Sequence, residues 1–233
     1  MFGFYGIDLT YIIYVMPALL FAMYAQTKVN TTFNKFRTVA NRRGYTGAEI
    51  ARRILDMNGL NHIIIERISG NLTDHFDPKA RVIRLSDSTY SSTSVAAIGV
   101  AAHEVGHAIQ HSQGYLPIKI RNSIVPVVQI ASYAAWPLAI IGILVSSQSL
   151  TNFGIILFGA VVIFQLVTLP VEFNASGRAI RTLDENAILD DDELKASKKV
   201  LSAAAMTYVA SAAVAIGNLL RLLVLTGGGR NRD

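Results

Sequence analysis

Two histidines and a glutamate lie close together in the middle of the chain, in the sequence His103-Glu104-Val105-Gly106-His107. On an α-helix, residues four positions apart lie on one face, so the two imidazoles can bind the same zinc ion. Zinc lowers the pKa of a bound water to about 7, and a neighbouring carboxylate can accept the proton as that water attacks a carbonyl. The pattern, HExxH, therefore predicts one zinc site for peptide hydrolysis, with His103 and His107 as ligands and Glu104 as general base.

A catalytic zinc usually has three protein ligands, so a further ligand must come from elsewhere. His111 is the nearest histidine, but it lies about 12 Å from His103 along a helix axis, and one straight helix cannot readily bring both rings to one ion. We therefore assign His111 to the substrate side or to the groups behind the ligands. The HExxHxxGxxH pattern is excluded, because Gln110 and Gln113 stand where it requires Gly and His.

The best third ligand is a carboxylate after the next long apolar segment. Residues 122–171 contain no Asp, Glu, Lys, Arg or His, and Glu172 is the first ionisable residue that follows. A helix continuing from Glu172 places residue 176 one turn later on the same face. Asp184 and Glu185 are the next candidates by the same argument.

The hydropathy pattern predicts four transmembrane helices. Of the 233 residues, 52% are hydrophobic and 16% are charged, which argues against a purely soluble globule. The uncharged segment forms a hairpin of two spans, 124–145 and 153–170, joined by the polar turn 146–152. A first span is predicted at 9–27, and a weaker fourth span at 201–225 carries Arg221 near its end, where the side chain can reach the interface.

The basic residues predict which side of the membrane each segment occupies. Lys28, Lys35 and Arg37 follow the first span, whereas the turn at 146–152 has no Lys or Arg. The positive-inside rule places 28–121, with the HExxH helix, and 171–200, with the third ligand, in the cytoplasm. Arg230 and Arg232 then lie outside, which three spans would avoid, but four spans are favoured.

The sequence pattern of the first cytoplasmic segment predicts a small α+β region. Thr46 and Glu49 form a capping box before a helix that ends near Gly59. The segments 62–68 and 80–85 are predicted strands separated by a turn region at 70–78, and the second is a candidate sheet edge for an extended peptide or a strand without a ligand. A helix over about 91–112 carries the histidines. The predicted fold is a mainly α-helical integral membrane protein, one domain over 1–233, with a small α+β cytoplasmic zinc domain.

Two segments carry a resemblance to a known family. They are His103-Glu-Val-Gly-His-Ala-Ile-Gln-His111 and Pro170-Val-Glu-Phe-Asn-Ala-Ser-Gly-Arg-Ala179. Over nearly the whole chain the sequence resembles the bacterial neutral zinc metallopeptidases, also called YugP-like membrane proteins. It is more distantly similar to HtpX and the CAAX prenyl proteases, the gluzincin membrane proteases, whose third ligand is the Glu of a Glu-x-x-Ala-Asp pattern.

The resemblance implies a gluzincin-like integral membrane zinc endopeptidase in the bacterial plasma membrane, without naming its substrate. Glu172 and Ala175 match the gluzincin pattern, but Ser176 stands where those relatives have an Asp that orients a zinc histidine. Asn174 or Asp184 could substitute for that carboxylate.

The leading hypothesis is a membrane-embedded zinc endopeptidase that cuts membrane or membrane-proximal proteins. His111, Arg178 and Arg181 are candidate donors to the developing charge in the transition state. The alternative is a non-catalytic scaffold or quality-control adaptor stabilised by zinc. A transporter is disfavoured, since the predicted hairpin has no ionisable group.

The amino-acid composition excludes several kinds of chemistry and several classes of binding partner. The absence of cysteine excludes disulfides, thiolate zinc ligands and thiol nucleophiles. Despite the net charge of +5, no basic groove interleaved with aromatic residues indicates nucleic acid. The expected partners are a peptide or membrane-protein substrate and the lipid bilayer, and a regulatory membrane partner is compatible with the pattern.

Overall fold

The computed structural model describes residues 8–227, which contain seven α-helices and three β-strands. In chain order these are α1 (Leu9–Tyr14), α2 (Met16–Phe36), α3 (Gly47–Met57), β1 (Ile64–Ile68), β2 (His75–Asp77), β3 (Val82–Ser86), α4 (Val95–Ser112), α5 (Leu116–Leu144), α6 (Gln148–Glu185) and α7 (Asp191–Gly227). The described residues fall into a helical unit (8–25, 120–169 and 207–227) and a mixed unit (26–119 and 170–206).

Within residues 8–227, three helices are long and apolar enough to cross a membrane, namely α5, α6 and α7. The predicted spans at 124–145 and 153–170 correspond to parts of α5 and α6, and the span predicted at 201–225 lies in α7. The polar turn is shorter than predicted, because α6 already begins at Gln148. A mainly helical chain with three candidate spans and a small sheet is therefore confirmed.

The first predicted span, 9–27, is not one of these three helices. The helix is interrupted at Val15, which separates α1 from α2. Pro17 has no backbone N–H, so it cannot donate to the carbonyl of Ile13 one turn earlier, and a straight helix through this point would lose that bond. That the first segment crosses the membrane stays a prediction.

Small residues let α5 and α6 pack closely in the helical unit. A Cβ added at Gly154 of α6 would lie 2.6 Å from the backbone nitrogen of Ala139 of α5, so only glycine fits there. Such small-residue contacts are typical of helix pairs in lipid, where dispersion forces must hold the helices together. On the outer face of α5, Tyr133 is 84% exposed and Ile130 is 69% exposed. Apolar groups this exposed suit contact with lipid.

The capping box predicted before α3 is present. The backbone N–H of Thr46 donates to the Glu49 carboxylate at 2.7 Å, and the Thr46 hydroxyl accepts from the Glu49 N–H at 3.3 Å. The apolar face of α3 then buries Ile50, Ile54 and Leu55 in the core of the mixed unit. The helix ends at Met57, close to the predicted end at Gly59.

The sheet has three strands in the order β1-β3-β2, with β1 parallel and β2 antiparallel to β3. Two of these strands match the predicted segments 62–68 and 80–85, but β2 lies in the region predicted to be a turn. The expectation that the second predicted strand is a sheet edge was wrong. β3 is central, because β2 folds back and pairs Phe76 with Ile83 on the side away from β1.

The helix predicted at about 91–112 is α4, which begins at Val95 after the N-cap residue Ser94. The Ser94 hydroxyl accepts a hydrogen bond from the N–H of Ala97 at 3.2 Å. Residues around most of its circumference are buried, including Ile98, Val105 and Ile109. The histidine helix is therefore a core element of the mixed unit, held on several sides.

Replacing Thr46 with alanine removes the hydroxyl half of the capping box. We expect the free energy of unfolding to fall by about 1 kcal/mol, since one N–H at the start of α3 loses its partner. Thr46→Ser keeps the hydroxyl and should retain most of the stability. Thermal unfolding of the detergent-solubilised variants measures the difference, and equal stability of the Ala and Ser variants would show that the cap contributes nothing.

Candidate metal centre

Three ligand atoms from two helices converge in the mixed unit. The histidines lie on α4, where Nε2 of His103 is 3.1 Å from Nε2 of His107. Glu172 lies on α6, and its Oε2 is 3.3 Å from Nε2 of His103 and 3.5 Å from Nε2 of His107. Among residues 8–227, these side chains form the one group of three or more potential ligands close enough to hold a metal ion.

The donor set and its spacing fit zinc. Around a tetrahedral zinc ion with bonds of about 2.0–2.2 Å, neighbouring ligand atoms lie about 3.3–3.6 Å apart. Two of the separations, 3.3 and 3.5 Å, lie in this range and the third, 3.1 Å, is slightly shorter, so the three atoms approximate one triangular face of such a tetrahedron. Two imidazoles and one carboxylate leave a fourth position open, which is the composition of a catalytic zinc site.

The surroundings of the triangle favour a cation. Glu172 is 4% exposed and Glu104 is 8% exposed, so two carboxyl groups are buried beside the histidines. Burial alone would lower the pKa of His107, but the hydrogen bond to Glu172 and the nearby charges of Glu104 and Glu172 raise it above its ordinary value. Because zinc requires unprotonated imidazole nitrogen, a bound ion would replace the proton that these carboxylates attract.

Each histidine ring is held from behind by an uncharged side chain. Nδ1 of His103 is 3.1 Å from the Ser176 hydroxyl, and Nδ1 of His107 is 3.1 Å from Oε1 of Gln110. A ring that donates from Nδ1 keeps an unprotonated Nε2 directed at the metal. Ser176 is therefore the residue that contacts Nδ1 of His103, whereas Asp184, one of the predicted substitutes for an orienting carboxylate, is exposed on α6.

Gln110 is the site residue that the sequence interpretation missed. It is fully buried, and its amide nitrogen donates to the Val171 carbonyl at 2.8 Å and to Oδ1 of Asn174 at 2.9 Å. These two bonds orient the amide so that its oxygen faces His107. Its position three residues after His107, on the same helix face, was a signal that could have identified it.

The predicted residues Asn174 and Arg178 extend this network away from the metal ligands. Oδ1 of Asn174 also accepts from Nε of Arg178 at 2.7 Å, and the Arg178 guanidinium donates to Oε1 of Gln113 at 2.7 Å. Asn174 therefore supports Gln110, and among the described residues no hydrogen bond joins it to His103 or His107. Arg178 links the ends of the network on α4 and α6.

The remaining predicted residues are separate from the ligand group. His111 is exposed, and its ring packs edge to face on Phe76 of β2 with 5.9 Å between centroids. Arg181 and Glu185 are exposed on α6, and neither Asp184 nor Glu185 belongs to the group of potential ligands found among residues 8–227. The geometry thus brings together His103, His107 and Glu172, and keeps the alternative third ligands apart.

Close contact between α4 and α6 sets the ligand separations. A Cβ added at Gly106 would lie 2.7 Å from the carbonyl oxygen of Ala175, which is shorter than any normal van der Waals contact. Glycine at this position lets the backbones meet between the two histidines of α4 and beside Glu172 of α6. Gly106, the second of the two variable residues in the HExxH pattern, therefore has a packing role here.

Comparison with known proteins also points to zinc. Residues 11–227 match the model of a family described as "Putative neutral zinc metallopeptidase". The chain belongs to this family. Zinc is the metal that the family description implies, and the triangle formed by His103, His107 and Glu172 suits it.

A similar protein of nearly the same length is known. The chain is 47% identical over 223 residues to the "Putative membrane protease YugP" of Bacillus subtilis (strain 168). The aligned segment covers 96% of this chain and 99% of the relative. The three apolar helices agree with the membrane location in that protein's name. No solved structure matches the chain.

Gly106→Ala should separate α4 from α6 and weaken the metal site. The added methyl group meets backbone, which cannot rotate away, so we expect a lower melting temperature and less than one zinc per protein after purification. Gly177→Ala on α6 is the matched control, because nothing lies within 4 Å of its added Cβ. Elemental analysis and thermal unfolding give both readouts, and full zinc content in Gly106→Ala would contradict the role of this contact.

Ser176→Ala removes the group behind His103. We expect the zinc dissociation constant to rise by about 10–100-fold, since the ring loses the contact that selects its tautomer and orientation. Ser176→Asp supplies an acceptor at the same place and should bind zinc more tightly than the Ala variant. Chelator competition measures the affinities.

The control for that experiment is Ser112→Ala, because the Ser112 hydroxyl donates to the Ile109 carbonyl of its own helix at 2.9 Å. It should leave zinc affinity unchanged. An unchanged dissociation constant in Ser176→Ala would show that Ser176 does not orient His103.

Proposed function

We propose that this protein is a membrane-embedded zinc endopeptidase that hydrolyses peptide bonds of membrane or membrane-proximal proteins. The observation that carries the proposal is the triangle of His103, His107 and Glu172, whose ligand atoms are 3.1–3.5 Å apart. The carboxylate of Glu104, the residue that follows His103, is buried as well. Membership of a zinc metallopeptidase family supports the same conclusion.

His103, His107 and Glu172 would hold one zinc ion. When bound, zinc acidifies water and polarises a peptide carbonyl. Glu104 follows His103 directly on α4 and has no place in the ligand triangle, so its carboxylate is available to accept a proton from the attacking water. The same carboxyl group can then pass the proton to the leaving amine. Ser176 and Gln110 keep the two rings in the orientation that this chemistry requires.

The sheet offers an extended substrate a strand edge that lies near the histidine helix. In the order β1-β3-β2, the described strand at the end of the sheet toward α4 is β2, whose Phe76 touches His111 of that helix. Peptides commonly add to such an edge through backbone hydrogen bonds. We propose β2, in place of the strand predicted from sequence, as the edge along which a substrate is aligned. His111 then lies on the substrate side.

The proposed class of substrate follows from the side of the membrane on which the mixed unit lies. Lys28, Lys35 and Arg37 follow the first apolar segment, and Lys195 and Lys198 precede the last one. By the positive-inside rule these residues favour the cytoplasmic side of a bacterial plasma membrane for the mixed unit. The proposed substrates are therefore membrane proteins, or proteins held near the membrane, with an accessible peptide bond on that side.

Glu104→Gln separates catalysis from metal binding. We expect the rate of cleavage to fall by a factor of about 100 or more, because the amide cannot accept a proton, while one zinc per protein remains. Glu172→Ala should lose the zinc itself. Glu66→Gln is the matched control, since Glu66 lies on β1 and forms an exposed ion pair with Arg84.

The measurement compares membranes from cells that produce each variant. New protein N termini are labelled and counted by mass spectrometry, and zinc is measured on the purified proteins. The proposal requires N termini that appear with the parent and with Glu66→Gln but not with Glu104→Gln. A zinc-loaded parent that generates no new N terminus would instead favour a zinc-stabilised scaffold.

A further inference from the structure

A concave site lies in the mixed unit, on residues that the proposed metal centre does not use. The C-terminal part of α2 and the N-terminal part of α7 enclose a cleft of about 740 Å³. Five lysines line it, namely Lys28, Lys35, Lys195, Lys198 and Lys199. Since the whole chain has only seven lysines, this clustering is far from an even distribution.

The cleft is built from two helix faces with the same spacing. Lys28, Thr31, Thr32 and Lys35 lie at positions i, i+3, i+4 and i+7 along α2, and Lys195, Lys198, Lys199 and Ser202 repeat this spacing along α7. Residues with this spacing project from one side of a helix. Each helix therefore contributes one stripe of ammonium and hydroxyl groups. Phe36, Ala203 and Met206 add an apolar part to the lining.

The positive charge of the cleft is not balanced by acidic side chains of the described chain. None of the lining residues is Asp or Glu, and within residues 8–227 no lysine of the cleft forms an ion pair. Two nearby acidic residues, Asp190 just before α7 and Asp192 in its first turn, pair instead with Arg42 at 2.7 and 2.8 Å. Five like charges around one cleft repel one another, and an anion between them relieves that repulsion.

Each lysine stripe adjoins an uncharged helical segment. No charged residue lies between Asp8 and Lys28 on the α2 side, and none lies between Lys199 and Arg221 along α7. A helix that enters the bilayer places the residues just outside its apolar segment at the level of the lipid phosphates. Clusters of four to eight basic residues at this position typically bind anionic lipids.

We propose that this lysine cleft binds the phosphate of an anionic phospholipid headgroup at the membrane surface. The ammonium groups of both helices contact the phosphate oxygens as point charges, and the apolar part of the lining accommodates the glycerol and the first carbons of the acyl chains. A lipid bound there bridges α2 and α7. The proposal does not depend on peptidase activity.

The test is native mass spectrometry of the full-length protein in detergent, with phosphatidylglycerol or phosphatidylcholine added at equal concentration. The parent should bind phosphatidylglycerol about tenfold or more tightly than phosphatidylcholine. Replacing Lys195, Lys198 and Lys199 together by glutamine should remove that preference. The same three positions changed to arginine should keep it, which separates loss of charge from misfolding.

A charge-matched control replaces Arg43, Lys79 and Arg81, which are exposed and outside the cleft, by glutamine. This control should keep the preference for phosphatidylglycerol, although it has lost the same number of charges. Zinc content and melting temperature of every variant establish that the fold is intact.

Two results would overturn the proposal. The first is a preference for phosphatidylglycerol that survives in the triple glutamine variant or is lost equally in the charge-matched control. The second is displacement of the lipid by an equal concentration of inorganic phosphate, which would assign the cleft to a free anion.

Discussion

The approach of α4 to α6 at Gly106 and Ala175 is the constraint on which the candidate metal centre depends. A zinc site tolerates ligand errors of only a few tenths of an ångström, and here the ligands belong to two helices that are far apart in the chain. Because glycine brings the backbones into contact beside the histidines, the Glu172 oxygen lies 3.3 and 3.5 Å from their Nε2 atoms. Packing thus determines the separations of the candidate ligand atoms.

Buried polar groups make that packing specific. The fully buried Gln110 amide would be costly if it were unpaired, but each of its polar atoms has a partner on α4 or α6. Any shift of one helix along the other would break these bonds together with the contact between Ser176 and His103. The network therefore holds one helix register and one orientation of each ligand ring.

Charged residues are unevenly distributed along the chain, so different parts of the protein suit different surroundings. Residues 122–171 carry no charge, five of the seven lysines line one cleft, and the buried carboxylates Glu104 and Glu172 lie at the candidate metal centre. Lipid, phosphate headgroups and a divalent cation each require a different electrostatic environment. Clusters of opposite charge thus occur at two places in the mixed unit, and both proposed roles involve the membrane.

Local pattern alone determined much of this protein. The spacing of His103 and His107, the capping box at Thr46, and the apolar segments within α5, α6 and α7 all depend on residues within a few helical turns, so the sequence predicts them directly. The position of Glu172 near the two histidines was also predictable, because Glu172 is the first ionisable residue after a long uncharged segment. Tertiary structure decided the rest. The central position of β3, the pairing of Ser176 with His103, the role of Gln110 and the meeting of two lysine stripes all join residues distant in the chain, and only the packing of whole elements sets such distances.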